Sequence, residues 1–216
     1  MAEIAAGPLT GKVVVIAGSS SPSGHAVAER LTQDGATVVA LGSDAGRLEP
    51  VRADDRRVVD LRDFAATGAV AADILTSHGR IDGVVHLVGG WRNGHDDAGW
   101  EQLLANNVTT LRNTTRAFRD ALLASGDGRF VMISSTAVDK PTWAGANYST
   151  SKAAAEAWLE VFSHNWKDEA TAAATILVVK FLGDGKGGTP VTQLADRVAR
   201  LWDTPFAELN GARILL

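Results

Sequence analysis

Tyr148 is the only tyrosine in this chain of 216 residues, and Lys152 follows it by four positions. On a helix, residues four apart lie on one face, a turn from each other. A free phenol has a pKa of about 10, too high for efficient proton transfer at neutral pH. An ammonium held nearby favours the phenolate and lowers that value, which would equip Tyr148 as a general acid or base. Thirteen residues before Tyr148 stands Ser135, just beyond the unbroken apolar run at 130–133. A hydroxyl there could hydrogen-bond a substrate carbonyl oxygen. The plainer alternative is an amphipathic helix with a half-buried tyrosine and a solvated lysine. With six lysines in the chain, such a pairing arises by accident about once in 36 trials, so it does not decide the matter alone.

The elements that must hold these residues alternate between strand and helix. Apolar, β-branched runs predict strands at 13–17, 37–41, 57–60, 82–88, from 130, at 174–181 and at 213–216. Helical periodicity predicts helices following residue 24, at 65–77, across 98–124, from 147 towards 166, and at 190–202. Strands alternating with helices of about 10 to 20 residues imply right-handed crossovers and a parallel sheet. The expectation is one doubly wound α/β domain spanning 1–216, with helices on both faces of the sheet.

Ser135, Tyr148 and Lys152, with an asparagine on an earlier helix, resemble the active-site pattern of the short-chain dehydrogenase/reductase family: a Ser, then Tyr–x–x–x–Lys. The resemblance runs from residue 11 to 216 and implies a Rossmann domain that binds NAD or NADP. In WEQLLANNV the second asparagine stands seven residues after Trp100, as in the family, so Asn107 takes that place, with Asn106 as the alternative register. A buried asparagine at a helix kink is the plain reading of the same residue. The resemblance implies hydride delivery to a bound carbonyl and a proton from Tyr148. Ser135 would position the oxygen. Lys152 would lower the tyrosine pKa and hold the nicotinamide ribose. Asn107 would hold, on its backbone, a water that relays protons.

The first strand ends in AGSSSPSG, a small-residue turn that opens a helix. Glycines let a backbone approach a pyrophosphate, and helix N-terminal amides receive its charge. The family turn is Thr–Gly–x–x–x–Gly–x–Gly; here Ala17 replaces Thr and Pro22 the middle Gly. Gly18, Ser19, Ser20, Ser21, Ser23 and Gly24 are the expected cofactor contacts, with Pro22 tolerated at the first helical position after a capping Ser21. After the second strand, Gly42 stands where an acid would favour NAD, and Ser43 where relatives that prefer NADP often carry Arg. NADP is therefore the preferred cofactor, with NAD possible and Arg47 or Ser19 as further phosphate contacts; Asp44 falls one or two positions late. Asp60 matches the family's aspartate at the adenine edge, or else caps the next helix. In HLVGG, Gly89 matches the end of the family's Asn–Asn–Ala–Gly, and His86 reads as a satisfied core histidine. Tyr148 and Lys152 complete the expected cofactor contacts.

Substrate loops are expected at 90–97, 136–147 and 183–190, with Trp91, Arg92, His95 and Trp143 as candidates for a planar or apolar substrate. Leu182 replaces the family's proline, and a short Gly-rich loop replaces its long lid. Gly89, Gly90, Trp91 and Gly94 also resemble dihydropteridine reductases, which lack the serine kept here at Ser135. The absence of cysteine excludes disulfides and thiolate sites. The five histidines show no metal-ligand spacing, and no Gly–x–Ser–x–Gly elbow is present. A net charge of −4 without a basic run argues against nucleic acid. No apolar stretch reaches membrane-spanning length, and residues 1–12 lack signal character, so a cytoplasmic location is expected. The partner expected is a small ketone or secondary alcohol, acted on by a homodimer or homotetramer as the family implies. A nucleotide-sensing or partner-binding protein without catalysis is the rival, favoured by Pro22 and the short lid.

Overall fold

In the computed structural model, which describes residues 7–167 and 170–216, VVVIA becomes β1 (Val13–Ala17), buried at every position. Such a strand belongs inside a parallel sheet covered on both faces. The others are β2 (Thr37–Gly42), β3 (Asp55–Val58), β4 (Gly83–His86), β5 (Gly128–Ser135), β6 (Ala172–Val179) and β7 (Arg213–Leu215). The sheet runs β3-β2-β1-β4-β5-β6-β7, with every pair parallel. The order reverses between β1 and β4, and at such a switch point a crevice opens beyond the carboxyl ends of the strands. Residues 1–6, half of the stretch expected to lack signal character, lie outside the described residues.

The helices are α1 (Pro22–Gln33), α2 (Ala45–Leu48), α3 (Phe64–His78), α4 (Asp97–Leu103), α5 (Thr110–Ala124), α6 (Ala146–His164), α7 (Val191–Ala199) and α8 (Phe206–Leu209). Alternate side chains of β1 enter two cores. Val13, Val15 and Ala17 meet Phe118 of α5 and Phe162 of α6. Val14 and Ile16 meet Val27 and Leu31 of α1 with Leu194 and Val198 of α7. Each buried Leu, Val or Phe contributes about 1.5–3 kcal/mol from leaving water, so both helical layers are held by apolar area. Among the described residues no helix is long and apolar enough to cross a membrane.

Among the boundaries that differ from expectation, such as β6 two residues earlier than 174–181, three have local reasons. β3 lies two residues earlier than 57–60 because it is an edge strand with alternating burial, not a buried apolar run. β4 stops at His86, since HLVGG turns away over the crevice. The helix expected across 98–124 is interrupted by a π-helical turn, Leu104–Thr109. Two buried charges tie the sheet to its surroundings. The fully buried Asp82 carboxylate accepts the Val13 N–H at 2.9 Å and pairs with Arg80. The Arg129 guanidinium donates to the Leu201 and Thr204 carbonyls and lies 4.1 Å over the Phe206 ring, holding the C-terminal segment to β5.

Candidate active site

The π turn sets the first site residue. Thr110 N–H bonds the Ala105 carbonyl, five residues back, instead of the usual four. Such bulges are frequent at functional positions because they redirect one turn of a helix. Asn107 lies inside the bulge and is almost fully buried. Its Oδ1 accepts the Gly90 N–H at 3.0 Å, and its Nδ2 donates to Ser151 Oγ at 2.9 Å. Ser151 in turn donates to the Tyr148 carbonyl at 2.9 Å. The Asn107 side chain thus joins the end of β4 to α6, and any proton-relay role falls to its main chain. Asn106, the alternative register, lines a different cavity.

Tyr148 and Lys152 lie one turn apart on α6 and Ser135 closes β5. All three border a cavity of about 630 Å³, together with Gly89, Trp91 and Phe181. Gly89 is required there: a Cβ would stand 2.8 Å from Asn107 Oδ1 and 3.4 Å from Lys152 Nζ. Ser135 Oγ accepts the Ala137 N–H at 3.2 Å. The electrostatics depart from the sequence expectation. Lys152 Nζ donates to the Ile133 carbonyl at 2.9 Å, and burial pushes its pKa down to about 8, with Glu156 opposing. Burial raises the Tyr148 pKa above that of a free phenol, and hydrogen bonding with Ser135 only partly opposes it. Lys152 does not lower the phenol here, because its ammonium is directed at a β5 carbonyl.

At the other end of the crevice, Gly18 has φ +85°, and a Cβ there would come 2.9 Å from Val88 N. Ser21 caps α1, accepting the Gly24 N–H at 3.1 Å, and Pro22 takes the first helical position. Gly24 packs so tightly on the turn that a Cβ would meet Ser19 O at 2.3 Å. Ser19 corrects an expectation. It is wholly buried, and its hydroxyl donates to the Leu41 carbonyl at 3.0 Å, so the side chain braces the turn instead of facing a ligand. A second cavity of about 250 Å³ is lined by Gly18, Ser20, Gly42, Ser43, Asp60 and Arg62. Val88 borders both cavities, which therefore adjoin. Asp60 grips Arg62 through a two-toothed ion pair, which draws the carboxyl pKa down. It does not cap α3; Asp63 does. Asp44 is likewise committed, as the cap of α2.

A profile of the short chain dehydrogenases matches residues 12–179. The chain belongs to that family. The 2,3-dihydro-2,3-dihydroxybenzoate dehydrogenase of Bacillus subtilis (strain 168) is 32% identical over 159 residues, which are 68% of this chain and 61% of that protein. The 2,5-dichloro-2,5-cyclohexadiene-1,4-diol dehydrogenase LinX of Sphingobium indicum is 29% identical over 198 residues, 85% of this chain and 76% of that one. A crystal structure of a metagenomic short-chain oxidoreductase in complex with NADP superposes with a TM-score of 0.83 at 27% identity, covering 96% of this chain and 99% of the other. The chain spans about 61% of the length of the first of these curated relatives.

Within this member of the short chain dehydrogenase family the substrate candidates separate. Trp91 lines the large cavity. Arg92 instead pairs with Asp96, and His95 packs on Trp143 with ring centres 4.5 Å apart; none of these three borders the cavity. From loops 136–147 and 183–190, Thr136, Ala137 and Lys140 line it, whereas nothing beyond Leu182 does. The short lid loop is folded onto Phe181, with Gly188 so close that a Cβ would touch the ring at 2.4 Å. Sequence reasoning passed over Ser151, Lys140, Lys180 and Phe181. For the last two, their place at the carboxyl end of a strand was the available signal. Among the described residues no three His, Asp or Glu side chains are grouped to hold a metal.

His86 is only half satisfied. Its Nε2 lies 3.3 Å from Thr110 Oγ1, while Nδ1 has no partner among the described residues. Burial, with the Lys152 charge adding to it, pushes its pKa from 6.5 to about 3. The unfolded histidine binds its proton first as pH falls, so the stability this neutral ring supplies is complete above 6.5 and lost on the way down to 3. By about pH 4.5 the loss should be about 2–3 kcal/mol. Urea midpoints of wild type and His86→Gln at neutral pH and near pH 4.5 measure it: the variant should lose less. Equal losses would mean that His86 does not titrate in this window.

Proposed function

We propose that this chain is a nicotinamide-dependent reductase of small ketones, or dehydrogenase of the corresponding secondary alcohols, with NADP preferred. The observation that carries this reading is the meeting of the Tyr148 phenol, the Ser135 hydroxyl and the Lys152 ammonium in one cavity that adjoins a second, polar one. The residues fit a dinucleotide. Bare backbone at Gly18 and Gly89 borders the two adjoining cavities, and the first turn of α1 opens at their side. Position 42 carries no acid, Asp44 is occupied as a cap, and the Asp60 carboxylate in the second cavity is neutralised by Arg62, so Ser43 leaves room and a donor for a phosphate.

When bound, the reduced nicotinamide would supply the hydride for the carbonyl carbon. The chain's own residues would do the rest. Ser135 holds the carbonyl oxygen. Tyr148, protonated at neutral pH as any phenol is and held so more firmly by burial, donates its proton to that oxygen as charge develops. Lys152, once a ribose displaces its ammonium from the Ile133 carbonyl, can steady both ribose and phenolate. The bulge at Asn107 lies behind the lysine, where its main chain can pass a proton inward. By analogy with the family the chain works as a homodimer or homotetramer through α5 and α6.

Titration with NADPH and, separately, NADH, followed by tryptophan quenching, tests the binding. NADPH should bind more tightly. Tighter NADH would reverse the cofactor preference and leave the hydride chemistry standing. Binding of neither by about 1 mM, the upper end of ordinary KM values, would defeat the reading. A non-catalytic, partner-binding role then gains, because Pro22 lacks an amide and Ser21 already occupies that of Gly24.

A further inference from the structure

The large cavity has an uneven charge. Three lysines line it and no carboxylate does. Lys152 is committed to the Ile133 carbonyl. Lys140, in the loop after β5, and Lys180, at the end of β6, are exposed at its border and form no ion pair among the described residues. The acids that could have neutralised them are held elsewhere. Asp139, the neighbour of Lys140, and Glu156, one turn from Lys152, are both bound by Arg213 at 2.9 Å. Asp184, beyond β6, lines no part of the cavity. The same wall includes the apolar side chains of Trp91, Phe181 and Leu182. A cleft lined by one sign of charge with apolar walls focuses its field and draws in ligands of the opposite sign.

We infer that the substrate is a carboxylate-bearing ketone or the matching hydroxy acid, its apolar body against Trp91 and Phe181 and its carboxylate at Lys140 and Lys180. This rests on the reductase reading of the same cavity, with the carbonyl at Tyr148. An ammonium meeting a carboxylate forms a charge-assisted bond stronger than a neutral one. At exposed side chains solvent and salt weaken it, so a roughly tenfold preference for the anion is expected.

The test pairs 4-acetylbenzoate with its neutral analogue 4-acetylbenzamide, titrated into the full chain with NADP+ present and followed by tryptophan quenching. 4-Acetylbenzoate should bind roughly tenfold more tightly. The ratio should approach one in the Lys140→Gln/Lys180→Gln double variant and in about 0.5 M salt, where screening acts within a few ångströms. Equal affinities, failure of both ligands to saturate, or a ratio unchanged in the double variant would each overturn the inference. So would a Lys180→Gln protein that loses NADP+ affinity yet keeps the ratio, because the lysine would then serve the cofactor's diphosphate. NADPH oxidation separates the two levels. Turnover of neutral and anionic ketones alike removes the anion preference and leaves the reductase. Tight 4-acetylbenzoate binding without turnover of any ketone leaves the anion site and removes the reductase.

Discussion

Replacing Tyr148 by phenylalanine should lower kcat for ketone reduction about 10²- to 10⁴-fold, the span ordinarily supplied by a positioned general acid. The ring volume is conserved, and among the described residues the lost hydroxyl interacts with Ser135 alone, so folding should be undisturbed. Thermal melts of the two proteins should agree within a few degrees, since the surrendered hydrogen bond is worth only about 1 kcal/mol. The direction of the phenol's pKa also sets a pH signature. A phenol is already protonated throughout the neutral range and burial raises its pKa further, so reduction loses nothing there through the tyrosine. Alcohol oxidation needs the phenolate and should speed up as pH rises. A Tyr148→Phe protein that oxidises NADPH with ketones at the wild-type rate would remove Tyr148 from the chemistry and leave Lys152 or a water as the acid.

The residues of this site were legible in the sequence because their signals are local. The run VVVIA can only be a strand buried on both faces, and Tyr148 and Lys152 share a helix face by spacing alone. Gly89 announces itself as the small residue at a strand end, and the structure supplies the reason in the 2.8 Å that a Cβ would leave to Asn107. What escaped is set by three-dimensional competition for partners. The π turn at Leu104–Thr109 shifts one hydrogen-bond register without any compositional mark. Ser19 and Ser21 are the same residue type in one turn, yet one braces β2 and the other caps α1. Asp60 and Asp63 both stand before α3, and only the observed start at Phe64 awards the cap to Asp63. Spacing places Lys152 beside Tyr148 but cannot say that Ile133 will claim its ammonium.

That last detail leads to the second large effect. Lys152→Met should abolish measurable ketone reduction, with a loss on the order of 10³-fold or more if the charge acts together with the phenol, and should at the same time make the protein more stable. Burial lowers the lysine pKa from 10.5 to about 8, which at about 1.36 kcal/mol per pKa unit corresponds to about 3 kcal/mol of destabilisation at neutral pH. Methionine fills the same path without a charge and surrenders the bond to the Ile133 carbonyl, worth about 1 kcal/mol. A net gain of about 2 kcal/mol remains. The sign can be checked by pH. Between about 8 and 10.5 the unfolded lysine still holds its proton and the folded one does not, so wild-type stability rises across that window. The advantage of the variant should therefore be full below about pH 8 and shrink towards 10.5. Urea midpoints of both proteins near pH 7 and pH 10 measure this. A variant less stable than wild type at neutral pH would show that the carbonyl bond outweighs the buried charge. A more stable but inactive one would show that α6 carries a cation its fold opposes, as expected where a charge is kept for reaction and not for packing.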